Sequence, residues 1–128
     1  MVLDSSSIVA IHVREPGYES LLDKIDAAEV VVVGVTTLLE TMMVLTARLA
    51  QDARPLLFAL LRRLDAEVVP LNLEHFDAAA AAFNRFGRGR HPAGLNFGDC
   101  LSYAIASVSG MPLLFTGEDF GRTDIGRA

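Results

Sequence analysis

The sequence predicts an α/β domain of three layers, with helices on both faces of a central, mainly parallel sheet. Three observations carry this. Met1-Val2-Leu3-Asp4-Ser5-Ser6-Ser7 passes from apolar residues straight into an aspartate and three serines, the pattern of a short buried strand that hands over to a helix. Glu29-Val30-Val31-Val32-Val33-Gly34 is β-branched at successive positions, as suits a strand covered on each side. Strand-like and helix-like segments then follow the order βαα-βαα-βα-αβ without repeats or linkers, which crossover geometry turns into a parallel sheet.

A chain of 128 residues is expected to form one domain over 1–128 and to bury roughly two thirds of its unfolded surface. At 52% hydrophobic and 21% charged, the apolar supply exceeds what one small core uses, so some of it is expected in a subunit interface. The single cysteine, Cys100, excludes an internal disulfide and a multi-cysteine zinc site, and His12, His75 and His91 have no metal-ligand spacing. No basic leader precedes an apolar run, and none reaches the ~18 to 20 residues of a membrane span, so a soluble, cytoplasmic protein with no membrane contact is expected. The net charge of −5 argues against a nucleic-acid partner, although two divalent cations in an acidic site would bring the loaded chain to −5 + 4 = −1.

In chain order, Ser5, Ser6 or Ser7 is expected to cap a helix carrying Ile8, Val9 and Ile11 that stops near Glu15-Pro16-Gly17. Leu21, Leu22, Ile25 and Ala28 give a second helix. After the valine strand, Thr36 or Thr37 opens a long helix to about Ala50, with more apolar residues than one stripe needs. Asp52 to Asp65 forms another, with Leu56, Leu57, Leu60, Leu61 and Leu64 inside. Glu67-Val68-Val69-Pro70-Leu71 is a short strand whose proline suggests an edge. An alanine-rich helix covers Leu73 to Phe86, and Gly87 to Gly94 is a loop. A helix starts at Asn96-Phe97-Gly98-Asp99 and ends at Gly110. Pro112 to Thr116 is the last strand, followed by a polar tail without a pattern.

Four acids stand where strands end or following helices begin: Asp4, Glu40, Asp99 and Asp119. A parallel sheet brings those places to one edge. Each also has a local explanation: Asp4 as a helix cap, Thr37 to Glu40 and Asn96 to Asp99 as capping boxes, Asp119 as a turn residue. Against purely local roles, Glu40 sits among Leu38, Leu39, Met42 and Met43, and Asp99 precedes an apolar helix, where uncompensated charge is costly. Carboxylates that share a pocket repel one another unless a hard cation lies between them, so Mg²⁺ or Mn²⁺ fits this all-oxygen set.

Val2-Leu3-Asp4-Ser5-Ser6, Thr37-Leu38-Leu39-Glu40, Leu95-Asn96-Phe97-Gly98-Asp99-Cys100-Leu101 and Leu113-Leu114-Phe115-Thr116-Gly117-Glu118-Asp119-Phe120 together resemble a PIN-domain protein, specifically a VapC-type toxin ribonuclease of a toxin-antitoxin pair. The resemblance covers essentially the whole chain. It implies a PIN-like fold and a Mg²⁺- or Mn²⁺-dependent endoribonuclease leaving 5′-phosphate and 3′-hydroxyl ends. Asp4, Glu40 and Asp99 match the family's acids, with Asp4, Asp99 and Asp119 as metal ligands, Glu40 as ligand or water-orienting base, and Ser6 and Thr116 as supporting polar residues. Glu118 and Asp124 stand close enough in sequence to replace Asp119. A homodimer and a cognate VapB-type antitoxin, lying over the acidic pocket, are the implied partners.

Arg85, Arg88, Arg90 and His91, just before the Asn96–Asp99 segment, are expected to contact RNA; locally, Arg85 also suits a helix C-terminus. Tyr103 and Cys100 are expected to pack rather than react. A phosphohydrolase of the haloacid dehalogenase type is the alternative enzyme, but Ser6 stands where its second aspartate belongs and Lys24 is the only lysine. A non-catalytic interaction module is the other alternative.

Overall fold

The computed structural model describes residues 1–128. The elements are β1 (Val2–Leu3), α1 (Ser5–Val13), α2 (Tyr18–Asp26), β2 (Val31–Gly34), α3 (Val35–Leu49), α4 (Arg54–Arg63), β3 (Ala66–Val69), α5 (Leu73–Phe86), α6 (Phe97–Ser109) and β4 (Leu113–Leu114), with a 3-10 turn at Phe120–Arg122. Their order is the expected one. The strands form one sheet, β3-β2-β1-β4, with every pair parallel. β1 and the valine strand β2 are interior, and β3 is an edge that stops before Pro70.

The short strands β1, β2 and β4 hold because both of their faces are buried, whereas the edge strand β3 is only partly covered. Val2, Val32 and Leu113 pack with Phe86, Leu95, Tyr103 and Ile105, beneath α5 and α6. Leu3, Val31, Val33 and Leu114 pack with Ile8, Ile11, Ile25, Leu57 and Leu61 of α1, α2 and α4. Alternate side chains along each strand thus feed two cores, and each fully buried aliphatic contributes about 1.5–3 kcal/mol. Helix α6 lies closest to the sheet: Cys100 to Ala106 are all buried, and a Cβ on Gly34 would come 2.9 Å from Ile105 Cγ1.

Several local expectations are corrected. Helix α3 begins at Val35 behind Gly34, not at a threonine, so Thr37 is interior and Thr37–Glu40 is not a capping box. The buried Thr37 hydroxyl instead meets that of Ser102 at 3.1 Å, tying α3 to α6. Helix α1 is capped by Asp4 rather than by a serine. Helix α4 starts at Arg54, and its inward stripe of Leu57, Leu61 and Leu64 leaves Leu56 exposed. The last strand is shorter than expected, and the tail beyond it is not patternless. Leu113 N–H donates to Gly126 O and Ala128 N–H to Leu113 O, which covers the free edge of β4. No helix is long and apolar enough to cross a membrane.

Candidate active site

Asp4 follows β1 and Thr116 lies just past β4, at the place where the sheet order reverses. The chain runs from β1 to β2 and β3 on one side and returns to β4 on the other, which leaves a crevice between the carboxyl ends of β1 and β4. Ser6 joins the two strand ends: its hydroxyl donates to Asp4 Oδ2 and accepts from Thr116 N–H at 3.1 Å. Asp4 is only 3% exposed. Its Oδ2 also accepts from Ser6 N–H at 2.9 Å, whereas its buried Oδ1 has no hydrogen-bond partner. Buried carboxylate oxygens are normally satisfied, so the bare Oδ1 points to something the crevice is built to receive.

Helices α3 and α6 bring two further acids. Asn96 and Asp99 cap each other, each backbone N–H donating to the other's side chain at 2.9 Å, so Asp99 is held on the first turn of α6. Glu40 rests against the same turn. A Cβ placed on Gly98 would lie 2.5 and 2.6 Å from the Glu40 carboxylate oxygens. Burial raises the Glu40 carboxyl, Asp4 raises it further, and the Ser5 hydroxyl draws it back. Burial likewise pushes Asp99 up to about 6; the Asn96 N–H opposes this, and Asp4, Asp119 and Glu40 add to it.

Asp119, exposed at the head of the 3-10 turn, therefore lies in the same acidic field. Asp124 is engaged elsewhere. It accepts from the Tyr103 hydroxyl at 2.7 Å and pairs with Arg85 at 2.9 Å, partners that hold its carboxyl below the usual range. Burial and Asp124 push the Tyr103 phenol up to about 12, in keeping with packing rather than chemistry. Glu118 is exposed and is not among the groups acting on Asp99.

The carboxylates are neighbours without being a finished cage. No three His, Cys, Asp or Glu side chains stand together closely enough to hold one ion. Asp4 and Asp99 are turned onto their own cap donors, so two of the local explanations hold alongside the shared crevice.

The raised Asp99 carboxyl has a sign that can be measured. Its stabilising share is complete below the unfolded value of 3.8 and is lost as pH rises through about 6. Metal-free protein carrying Asp99→Asn should therefore gain melting temperature relative to the parent across that window. A constant difference between the two over the window would show that Asp99 is not strained by its neighbours.

In the basic loop, Arg85 is committed to Asp124 and also lies over the Phe86 ring at 4.5 Å. Arg90 lies over Phe83, and His91 Nδ1 accepts from Ala93 N–H, while Arg88 is exposed. Three residues of the site escaped sequence reasoning: Ser5 beside Glu40, Gly98 beneath it, and Arg48 nearby on α3. Ser5 and Gly98 lie inside recognisable motifs, but only side-chain positions reveal what they touch. Arg48 carries no local signal.

Carboxylates facing the switch point of a small parallel sheet define the class of protein, and the family model described as PIN domain matches residues 1–126. Ribonuclease VapC30 of Mycobacterium tuberculosis is 42% identical over 125 residues, covering 98% of this chain and 95% of its own. Ribonuclease VapC of Mycolicibacterium smegmatis is also 42% identical, with 98% and 97% covered. The chain belongs to the VapC ribonucleases of the PIN-domain family, which sets aside the dehalogenase-type alternative. Two solved structures share the fold. Mycobacterium tuberculosis VapC20, described as a sarcin-ricin loop cleaving toxin, superposes with TM-score 0.77 at 16% identity, covering 99% of this chain and 97% of that one. A toxin-antitoxin complex from Klebsiella pneumoniae gives TM-score 0.70 at 14% identity, covering 96% and 92%.

Proposed function

We propose that the protein is a Mg²⁺- or Mn²⁺-dependent endoribonuclease, the toxin of a toxin-antitoxin pair, with Asp4, Glu40, Asp99 and Asp119 as its active-site acids. The observation that carries this is the buried, unpartnered Asp4 Oδ1 in a crevice where burial, with the Asp4 charge added, raises the proton affinity of Glu40 and Asp99. An all-oxygen donor set with surplus negative charge suits a hard divalent cation. Asp4, through its unpartnered Oδ1, together with Asp99 and the exposed Asp119, would hold it. Once bound, the cation supplies charge that offsets the scissile phosphate's own.

The chain's residues do the rest. Ser6 fixes Asp4 and the β4 end in one geometry. Glu40, its proton affinity raised by burial, orients a water and takes its proton as the water oxygen bonds to phosphorus in line and the P–O3′ bond breaks, the departing 3′ oxygen taking a proton from solvent. Asp99, set by its cap, keeps one face of the crevice fixed relative to α6.

Partners follow from the surface. Leu39, Met43 and Phe97 are exposed around an apolar groove beside Glu40, Phe97 to 82%. Phe76 and Phe83 extend the patch along α5. Exposed apolar side chains adjoining one another in this way suit a subunit interface and support a homodimer, with the cognate antitoxin covering the acidic crevice.

Two measurements test the reading. MnCl₂ or MgCl₂ at a hundred times its dissociation constant should stabilise the protein by about 2.7 kcal/mol, and EDTA should reverse this. Pure protein with Mg²⁺ should cut total RNA at mapped positions where Asp99→Asn does not. Unchanged melting together with identical RNA profiles would overturn the proposal.

A further inference from the structure

A cavity of about 300 Å³ adjoins the acidic crevice, and its wall includes Ser5, Ser6, Thr116, Glu15 and Arg48. Ser6 is the residue that holds Asp4, and Ser5 is the one beside Glu40, so cavity and crevice share a wall. Arg48 is the one cation lining it, about two turns along α3 from Glu40. Its guanidinium stands 3.7 Å from Glu15, beyond hydrogen-bonding distance, and both side chains are about half exposed, at 52% and 45%. A pair this loose adds little to stability. It leaves a forked donor group at the rim of a cavity whose other polar lining is the Glu15 carboxylate and the hydroxyl residues Ser5, Ser6 and Thr116.

A polyanion approaching a carboxylate crevice on a chain of net charge −5 needs a cation beside that crevice. Arg85 is paired with Asp124, Arg90 lies over the Phe83 ring and Arg88 is exposed, but none of these three lines the cavity beside the acids, whereas Arg48 does. Guanidinium recognises phosphate oxygens through paired, charge-assisted hydrogen bonds. Building on the ribonuclease reading, we propose that Arg48, together with the hydroxyl of Thr116, forms a backbone-phosphate subsite that positions the RNA strand beside the acids. Glu15 is the internal anion that the phosphate displaces. Arg48 is thus a positioning residue for the substrate and takes no part in the bond-breaking step.

The test uses a short fluorescein-labelled single-stranded RNA, with binding read by anisotropy across a KCl series. All proteins carry Asp99→Asn so that the probe stays intact. Adding Arg48→Ala should weaken binding roughly tenfold and lower the slope of log affinity against log salt by about one. Arg48→Lys should keep the slope and recover part of the affinity, and Glu15→Gln should tighten binding. In the otherwise native enzyme, the loss from Arg48→Ala should fall on KM rather than kcat. A merely structural arginine would leave the salt slope alone. Affinity and slope unchanged in Arg48→Ala, or a slope that falls equally in Arg48→Lys, overturns the subsite. An Arg48-dependent slope in a native protein that cuts no RNA would instead overturn the catalytic reading alone.

Discussion

Asp4→Asn is expected to lower RNA cleavage by roughly a hundredfold or more, and to abolish growth inhibition when the chain is expressed alone, while the fold persists. The separation follows from the two oxygens of one carboxylate. Oδ2 serves the fold, as N-cap of α1 and partner of the Ser6 hydroxyl, and an asparagine carbonyl accepts the same bonds. Oδ1 is buried without a partner, and asparagine puts an uncharged amide there. The variant should therefore keep the parent's melting temperature in EDTA but lose the stabilisation that MnCl₂ gives the parent. A variant that cuts RNA and binds Mn²⁺ like the parent would remove Asp4 from the site.

Gly98→Ala should also separate stability from activity. On helix propensity alone, alanine at this position of α6 is favoured by about 1 kcal/mol. Its Cβ, however, would press on both Glu40 carboxylate oxygens and come 2.8 Å from Glu40 Cδ. The end of a flexible side chain yields more cheaply than backbone, so the helix should accept alanine and Glu40 should swing away. Cleavage is then expected to fall about a hundredfold or more through kcat, in the range lost with a general base, with melting unchanged or slightly higher. Parent-like kcat would mean that the position of Glu40 is immaterial to the reaction.

The local chemistry of the site was legible to different depths. Asp4 and Asp99 could be placed because they close apolar or cap-forming segments whose geometry is set within a few residues. Glu40 was expected one turn into the helix after the valine strand, where α3 has it, but its local alternative, a capping box with Thr37, fails. A capping box needs Thr37 at the helix boundary, and Gly34 took that boundary so that α6 could lie against the end of β2. Among Asp119, Glu118 and Asp124 the sequence favoured Asp119 without excluding the other two, because what sets Asp124 apart is not local. It depends on Tyr103 and Arg85, which engage Asp124 from 21 and 39 positions away in the chain.

What the sequence determined by itself is the layered architecture and the strand-end and helix positions of Asp4, Glu40 and Asp99. Buried strands must be apolar on both faces, and crossover handedness leaves few ways to join them, so short-range pattern suffices for both. Only the tertiary structure decided which acids share a field, that one Asp4 oxygen is left bare, and that Arg48 stands at the edge of the crevice. Those are relations between side chains on separate elements, set by how closely α3 and α6 pack at the sheet's edge, and no residue's immediate neighbours in the chain encode them.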